Sequence, residues 1–539
     1  MASYSRRAFV RDSALVTGAT AVLPSLAAAS PAAARTASAS FGSVITVTPR
    51  DRRYADMVWG ANRRWVGTPD QVHIVSTDSQ IVQLVQQAVD GDRGIAVRSG
   101  GHCYEDFVTH DGVRVVIDLS GMTKISYDES RRVFAVEAGA RLGEVYRALY
   151  QGWGVTLPGG SCPSVGVGGH IAGGGYGPLS RLHGLSVDHL YGVEVVVVDH
   201  NGTAKKVVAT REANDPNREL WWAHTGGGGG SFGIVTRYLL RSPNALNLSR
   251  TAALPTPPSE VIVCDVSWSW SDMTEAAFSR LLSNFGRWHE EHSGADSAYA
   301  SLFSQLKPQH RSAGSFSMTA QIDASVPNAD SLLDSFLSAV NAGTGVSYRV
   351  NDRRTISWLH AVTQWPGFTG TDTTTRFKAK SAYMRKNFTA ANLSALYHHM
   401  TRSDHTNPAS IVMITSYGGR TNTVAPSATA VPQRDSILKL HYVNFWTDPS
   451  QDAANIGWLR EMYQDVYAAS GGVPALNDHT DGCFINYADA DLADPRLNTS
   501  GVPWHELYFK SGYRRLQTAK AQWDPTDVFH HSLSIKAVP

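Results

Sequence analysis

The sequence predicts an α+β fold made of two sizeable parts, and three observations support this prediction. Its 539 residues exceed what a single hydrophobic core organises. Up to about residue 240, short apolar runs alternate with amphipathic segments, as strands alternate with helices. Beyond residue 260, longer strand-like runs alternate with amphipathic helices, which is typical of an antiparallel sheet backed by helices.

The first predicted part consists of short strands and helices. Asp78 or Ser79 can cap a helix that continues to Val89, because the apolar residues that follow recur at helical spacing. The nearly continuous valines at 193–198 are typical of a strand buried on both faces. Further strands are predicted at 72–75, 95–97, 113–119, 133–137 and 234–240, and helices at 142–150 and 217–224.

A segment rich in Pro and Thr, residues 244–259, marks the predicted boundary to the second part. The elements predicted beyond it are strands at 261–270, 314–322, 377–385, 411–417 and 438–446, and helices at 275–292, 329–341, 392–400 and 453–469. The chain is then expected to return to the first part. The predicted domains are therefore 41–243 together with 471–539, and 244–470 between them.

The charge and cysteine content exclude several classes of protein. Lys plus Arg is 48 and Asp plus Glu is 47, so nucleic acid and anionic membranes are not expected as partners. Four cysteines without C-x-x-C spacing argue against a zinc site or a disulfide scaffold. His289 and His292, in H-E-E-H, lack the H-E-x-x-H spacing of a metal hydrolase and are interpreted as solvated side chains. No metal is expected.

The N-terminus predicts export from the cell. S-R-R-A-F-V-R at residues 5–11 precedes a mildly apolar stretch at 14–29 and small residues at 32–34. This pattern is typical of a twin-arginine signal, here residues 1–34, and is too short and alanine-rich for a membrane span. The alternative is a disordered basic tail. We expect a secreted protein without a membrane segment once the signal is cleaved.

Two glycine-rich stretches are the strongest functional signal. R-S-G-G-H-C-Y occupies residues 98–104, and P-G-G-S-C-P-S-V-G-V-G-G-H-I-A-G-G-G-Y-G occupies 158–177. Glycine lets main-chain N–H groups approach an anion closely. His102 and Cys162, both capable nucleophiles, lie among these glycines, and we predict that both face one cofactor. Each residue alone would more often be a loop histidine or a buried thiol.

Two familiar nucleotide-binding motifs do not account for these glycines. A Rossmann motif needs G-x-G-x-x-G between a strand and a helix, and G-V-G-G-H-I at 166–171 breaks that spacing. The glycines at 226–230 follow a predicted helix instead of a strand. A Walker A motif fails because no G-K-[S/T] appears in the sequence.

The two stretches resemble the motifs of FAD-linked oxidases of the vanillyl-alcohol oxidase fold, and more narrowly those of the berberine bridge enzyme-like branch. The resemblance covers nearly the whole chain after the export signal. It implies a two-part FAD-binding domain and a substrate domain with an antiparallel sheet backed by helices. It also implies that the first motif holds the FAD pyrophosphate. His102 would be bonded to the C8 methyl group of the flavin and Cys162 to its C6 atom, giving a bicovalent cofactor.

The resemblance implies a larger set of FAD-binding residues, in which 233–235 lie near the adenine half. The set is Arg98, Ser99, Gly100, Gly101, His102, Cys103, Gly160, Cys162, Val165, Gly166, Gly168, Gly169, Gly173, Gly174, Gly175, Gly177, Asp188, Gly233, Ile234, Val235, Asn486 and Tyr487. W-D-P-T-D-V-F at 523–529 matches the closing motif of the family. With Cys162 attached to flavin, buried thiols are expected at Cys103, Cys264 and Cys483.

The resemblance also implies the catalytic residues. F-I-N-Y-A-D-A-D-L at 484–492 matches the motif that places a Tyr over the flavin, so Tyr487 is the predicted base. S-Y-G-G at 416–419 resembles actinobacterial sugar and antibiotic oxidases, so Tyr417 is its predicted helper. A phenol pKa near 10 must fall to near 7 for such a base, a change worth about 4 kcal/mol. We expect the alcohol proton to go to Tyr487 and the hydride to flavin N5.

The predicted reaction is oxidation of a sugar hydroxyl, on an oligosaccharide or a glycosylated natural product, with O2 reduced to H2O2. Val165 favours an oxidase, because the matching position in plant members gates oxygen, although packing alone would also explain a valine there. Alternatives are oxidation or oxidative cyclisation of a non-sugar metabolite, a dehydrogenase with another acceptor, and flavin binding without turnover. Five tryptophans could form sugar platforms or belong to the core: Trp268, Trp270, Trp358, Trp365 and Trp446.

Overall fold

The first four strands form a small mixed sheet. The computed structural model describes residues 43–245, 249–367 and 375–538, and the predicted export signal at 1–34 lies outside these ranges. The strands are β1 Ile45–Val47, β2 Gln71–Ile74, β3 Ile95–Arg98 and β4 Val115–Asp118. Their order is β1-β2-β4-β3, with β1 antiparallel to β2 and the other pairs parallel. Because β3 ends at Arg98, the sheet fixes the start of the first glycine-rich motif.

A five-stranded antiparallel sheet follows. Its strands are β5 Ile125–Asp128, β6 Val133–Glu137, β7 Leu190–Val198, β8 Ala204–Thr210 and β9 Ile234–Leu240, in the order β5-β6-β9-β7-β8. The valines of β7 are buried on both faces, as predicted. The second glycine-rich motif lies in the connection between β6 and β7, so both motifs belong to the part of the chain that forms these two sheets.

The third sheet has seven antiparallel strands in the order β13-β10-β12-β11-β15-β16-β14. The strands are β10 Glu260–Ser269, β11 Phe303–Lys307, β12 Ser315–Asp323, β13 Arg349–Ser357, β14 Arg376–Met384, β15 Ser410–Ser416 and β16 Leu438–Trp446. The predicted strand at 438–446 is confirmed with the same bounds. The predicted α+β class is also confirmed, whereas the domain boundaries 41–243, 244–470 and 471–539 stay a prediction.

The described helices lie in the connections between the strands and in the C-terminal segment. They are α1 Tyr54–Met57, α2 Asp78–Asp90, α3 Leu142–Trp153, α4 Val167–Ala172, α5 Ser180–His183, α6 Arg218–Ala223, α7 Glu275–His292, α8 Ala329–Asn341, α9 Trp358–Gln364, α10 Ala390–Thr401, α11 Asp452–Val466, α12 Trp504–Phe509 and α13 Tyr513–Trp523. The predicted α7 and α8 are confirmed at both ends. α11 packs on β14 and β16.

Hydrogen bonds of two polar side chains determine where helix α2 begins. The Thr77 side chain accepts a hydrogen bond from the Gln80 N–H, and the Gln80 side chain accepts one from the Thr77 N–H. This capping box satisfies two backbone donors at the first turn. The prediction that Asp78 or Ser79 caps the helix was therefore wrong, because both residues already lie inside it.

Several strands were not predicted, and β13 shows why. Its sequence R-V-N-D-R-R-T-I-S is polar and largely exposed, because the strand lies at the edge of the seven-stranded sheet. Charged residues at such an edge oppose pairing with another chain. An edge strand therefore lacks the apolar pattern that identifies a central one.

The five tryptophans proposed as sugar platforms belong to the core. Each is at most 8% exposed, so none offers a ring face to a ligand at the surface. Among the described residues, no helix is both long and apolar enough to cross a membrane.

Candidate flavin and active site

The two glycine-rich motifs meet in space at Gly100 and Gly166. A Cβ atom at Gly100 would lie 2.2 Å from the backbone nitrogen of Gly166, and one at Gly166 would lie 2.2 Å from the nitrogen of Gly100. Only glycine permits this approach on both sides. The Ser99 hydroxyl donates to the Ala138 carbonyl at 2.6 Å and holds the first loop in place.

His102 and Cys162 both lie within hydrogen-bond distance of one hydroxyl, while their predicted common role stays a prediction. The oxygen of Ser164 lies 3.1 Å from His102 Nε2 and 3.3 Å from Cys162 Sγ. Burial, together with the nearby charge of Arg141, lowers the pKa of His102 to about 4. The imidazole is therefore neutral at pH 7, with one protonated nitrogen and one free lone pair.

Asn486 connects the returning C-terminal segment to the second motif. Its Nδ2 donates to the carbonyl of His170 on α4 at 2.9 Å. A Cβ atom at Gly173 would lie 2.1 Å from Asn486 Oδ1, so the glycine makes room for this amide. A Cβ at Gly169, by contrast, would meet no atom within 4 Å, which leaves an open side on α4.

Two predicted cofactor-binding side chains are engaged elsewhere. Arg98 donates from Nε to Asp118 at 2.6 Å and also bonds the carbonyl of Met57. Both carboxylate oxygens of Asp188 are held by Arg434, at 2.7 and 3.0 Å, in a buried ion pair. Arg98 thus holds the Met57 carbonyl and Asp188 accepts from the Leu185 N–H, and their assignment to the cofactor stays a prediction.

The structure gives the surroundings of the other predicted cofactor-binding residues, and their roles stay predictions. Gly233 has φ +147°, and a Cβ there would lie 2.5 Å from the Val196 carbonyl, so the start of β9 packs closely on β7. Val165 is half-buried, and its carbonyl accepts from the Leu142 N–H at 2.9 Å. Cys264 and Cys483 are buried thiols, as expected, but Cys103 is only half-buried.

Tyr487 lies in a cluster of aromatic rings. Its ring stacks on His441 with the ring centroids 4.0 Å apart and on Tyr104 at 5.4 Å. Lys439 donates from Nζ to the Tyr487 hydroxyl at 3.0 Å. Burial raises the pKa of Tyr487 to about 12, the opposite direction from the one that a phenolic base needs.

Lys439 and His441 are neighbours on one face of β16, and sequence reasoning missed both. Lys439 is 3% exposed, and burial lowers its pKa to about 7. Its Nζ lies 4.2–4.9 Å from the ring centroids of Tyr176, Phe484 and Tyr487, which favours its charged form when a proton binds. His441 Nε2 is buried without a hydrogen-bond partner among the described residues. Two polar residues at alternate positions of a buried strand were the available signal.

The predicted role of Tyr417 as a helper of Tyr487 stays a prediction, and the structure shows the contacts of its side chain. Its hydroxyl donates to the carbonyl of Gln433 at 3.0 Å, and its ring stacks on Tyr176. A phenol has one hydrogen to donate, so Tyr417 cannot also donate to Tyr487 in this arrangement. The side chain that donates to the Tyr487 hydroxyl in this arrangement is Lys439.

A buried ionic network lies beside the aromatic cluster. Lys378 bonds Glu105 at 2.6 Å and Asp489 at 2.7 Å, while Lys380 and Arg460 bond Asp491 at 2.9 and 2.7 Å. Glu105 follows Tyr104 directly, and Asp489 comes two residues after Tyr487. The network therefore anchors both stacked tyrosines to β14 of the seven-stranded sheet.

His289 corrects the interpretation of the H-E-E-H segment. The residue is fully buried and bonds the Ser304 hydroxyl at 3.0 Å, because helix α7 turns it toward the sheet. His292 is half-buried and bonds the carbonyl of Trp288. His289 was therefore wrongly interpreted as solvated.

The residues present fit a flavin. His102 and Cys162 share a half-buried position between the two glycine motifs, α4 has an open side at Gly169, and His441 keeps a buried nitrogen without a partner in the described chain. A buried polar atom left without a partner is costly, so a ligand group that bonds it is stabilised.

Comparisons with known proteins also indicate a flavin-binding protein. Residues 69–207 match the family described as "FAD binding domain", and residues 483–536 match "Berberine and berberine like". Fold and site thus define an FAD-dependent oxidoreductase. Aclacinomycin-N/aclacinomycin-A oxidase of Streptomyces galilaeus is 50% identical over 541 residues, which cover 99% of this chain and 98% of that protein. The chain belongs to the berberine bridge enzyme-like family of FAD-linked oxidases.

Two further relatives extend the comparison. Hexose oxidase of Chondrus crispus is 34% identical over 526 residues, covering 90% of this chain and 93% of that protein. The structure of a glycopeptide hexose oxidase complexed with teicoplanin has a TM-score of 0.87 at 48% identity, and the alignment covers 92% of this chain and 99% of that one. The predicted family resemblance, and the flavoprotein fold that it implied, are confirmed.

Proposed function

We propose that the protein oxidises a hydroxyl group of a sugar, either on an oligosaccharide or on a glycosylated natural product, and reduces O2 to H2O2. The observation that carries the proposal is the buried pair of Tyr487 and Lys439, bonded at 3.0 Å beside the two glycine motifs. The names of the relatives support the substrate class, since two are hexose oxidases and one is an oxidase of a named natural product.

Tyr487 and Lys439 act together as the base. With the pKa of Lys439 near 7 and that of Tyr487 near 12, both groups are neutral between these values. Once Lys439 is neutral, its amine lone pair accepts a hydrogen bond from the Tyr487 hydroxyl. Tyr487 then takes the proton of the substrate hydroxyl while it passes its own proton to the Lys439 amine. The pair therefore behaves as a base whose conjugate acid has a pKa of about 7, which suits catalysis at neutral pH. FAD, when bound, supplies the hydride acceptor and returns the electrons to oxygen.

His102 and Cys162 are the proposed covalent anchors of FAD. Both are nucleophilic residue types, and both contact Ser164 between the glycine motifs. Acid-precipitated protein should keep its yellow colour, and His102→Ala or Cys162→Ala alone should leave flavin attached through the other residue. Peptide mass spectrometry distinguishes the attachment points. Flavin released completely by either single substitution would contradict two anchors.

A substrate screen tests the proposed reaction. Purified enzyme is mixed without oxygen with hexoses, oligosaccharides and glycosylated antibiotics, and the bleaching of the flavin is followed; aerobic samples are assayed for H2O2. We expect bleaching by at least one sugar-bearing compound and peroxide release in air. Bleaching only by an aglycone would favour oxidation or cyclisation of a non-sugar metabolite. Bleaching without peroxide would indicate a dehydrogenase, and no bleaching by any compound would favour flavin binding without turnover.

We also propose export through the twin-arginine route, on the basis of Arg6 and Arg7 in the leader. That route carries folded proteins, which suits a chain that acquires its flavin before it leaves the cell. Changing both residues to Lys should retain the full-length flavoprotein inside the cell, with an unchanged amount of bound flavin. Undiminished enzyme in the medium would contradict this signal.

A further inference from the structure

Ser164 is the residue through which the two proposed anchors contact each other. Its hydroxyl lies 3.1 Å from His102 Nε2 and 3.3 Å from Cys162 Sγ, and no comparison assigns it a role. The serine is half-buried at the turn that precedes α4, next to the closely packed Gly166. One hydroxyl therefore influences both groups that are expected to form bonds to the flavin.

The hydrogen bonds among His102, Ser164 and Cys162 can be directed in two ways. A hydroxyl has a single hydrogen, and a neutral imidazole has a single N–H. In one arrangement His102 Nε2–H donates to Ser164, and Ser164 donates to the sulfur, so that Nδ1 keeps a free lone pair and the sulfur can be a thiolate. In the other, Cys162 donates to Ser164, and Ser164 donates to Nε2, so that Nδ1 is protonated and the sulfur remains a thiol. Only the first arrangement leaves both anchors nucleophilic.

We infer that Ser164 is a positioning residue for flavin attachment: it accepts a hydrogen bond from His102 Nε2 and donates one to the sulfur of Cys162, which makes both residues ready to react. The inference rests on the two-anchor attachment proposed above. The low pKa of His102, near 4, is consistent with it, because a neutral ring has a free lone pair on one nitrogen.

The chemistry of attachment shows where the hydroxyl acts. At each anchor a flavin carbon loses one hydrogen, the anchor loses one proton, and a carbon–nitrogen or carbon–sulfur bond forms. Dioxygen, the acceptor of the proposed reaction, takes the two electrons and both hydrogens and becomes H2O2. The hydrogen bond from Nε2–H to Ser164 keeps the lone pair of Nδ1 free until Nδ1 forms its bond, and the Ser164 hydrogen stabilises the thiolate until the sulfur reacts. The proton that each anchor loses passes through solvent to the reduced dioxygen. A hydrogen bond to a charged group is among the stronger ones in proteins.

The test compares two nearly isosteric substitutions in the full-length flavoprotein. Ser164→Thr keeps the hydroxyl, whereas Ser164→Val replaces it with a methyl group. Each variant and the wild type are digested, and the fraction of flavin attached through both peptides is measured by mass spectrometry, both at isolation and during incubation in air with added FAD. His102→Ala and Cys162→Ala provide the masses of the singly attached species. Ser164→Ala repeats the test with a smaller residue if the valine variant is unstable.

We expect Ser164→Thr to match the wild type. Ser164→Val and Ser164→Ala should show a fraction of doubly attached flavin about ten-fold lower at isolation, with slow conversion to double attachment in air. Equal double attachment and equal rates in the Thr and Val variants would overturn the inference while leaving the two anchors intact. A wild-type digest without double attachment would contradict the proposed anchors themselves, so the two failures are distinguishable.

Discussion

Lys439 donates a hydrogen bond from Nζ to the hydroxyl of Tyr487 at 3.0 Å, and burial acts on the two groups in opposite directions. It raises the pKa of the phenol to about 12 and lowers the pKa of the amine to about 7. A buried phenol alone would be a poor acceptor for the proton of an alcohol. The neighbouring amine makes the pair a better proton acceptor than the phenol alone, because the proton that the pair gains at neutral pH resides on Lys439.

The first prediction concerns the pH dependence of flavin reduction. The rate constant should rise about ten-fold per pH unit below about pH 7, where Lys439 is protonated, and should level off above that value. Lys439→Met should remove this step and slow reduction throughout the neutral range. Anaerobic stopped-flow measurements over a pH series provide the test. A wild-type rate that does not change between about pH 6 and pH 8 would contradict the assignment.

The second prediction separates the two tyrosines. Tyr487→Phe should reduce the rate of flavin reduction by about 10²- to 10⁴-fold, the range for loss of a general base, while attached flavin and substrate binding persist. Tyr417→Phe is the matched control, since it removes a hydroxyl that donates to the Gln433 carbonyl. That variant should lose about 1 kcal/mol of stability and keep nearly the wild-type rate. Equal losses of rate in both variants would restore Tyr417 to the role of helper.

The third prediction concerns stability. The pKa of Lys439 is about 7 in the folded protein and near 10.4 in an unfolded chain, so the unfolded state binds more protons between these values. The cost of burying the charge is present in full below pH 7 and is relieved as the pH rises toward 10. Relative to Lys439→Met, the wild type should therefore gain about 1.4 kcal/mol per pH unit above pH 7. Paired melting curves at about pH 6, 8 and 9 measure the difference, and parallel curves would contradict it.

The motifs allowed part of the site to be predicted, and the remainder depended on tertiary contacts. His102, Cys162 and Tyr487 stand in recognisable local patterns, and the structure brings the first two together through Ser164. Lys439 lies in a strand whose bounds were predicted correctly, but its partner is reached only when the C-terminal segment returns to β16. The direction of the Tyr417 hydroxyl, toward Gln433, likewise follows from packing that no local pattern records. Arg98 matched its motif and still bonds Asp118, because a motif fixes the residue type and not its partner.

The last prediction tests the ionic network that anchors Tyr104 and Tyr487. Lys378 is 3% exposed and lies between Glu105 and Asp489, so Lys378→Met leaves the buried Glu105 without its ion-pair partner, while Asp489 keeps Lys380. Removal of one partner from a buried pair typically costs about 3–5 kcal/mol. Combining it with Glu105→Gln restores the balance of charge and should recover part of that loss, which a double-mutant cycle in the free energy of unfolding measures. Arg496→Met, at an exposed pair with Asp494, is the control and should cost at most about 1 kcal/mol.

Because the network fixes two stacked rings of the active site, flavin reduction should slow in Lys378→Met and partly recover in the double variant. Strictly additive effects on stability, with an unchanged rate of reduction, would show that the network neither couples these charges nor positions Tyr487.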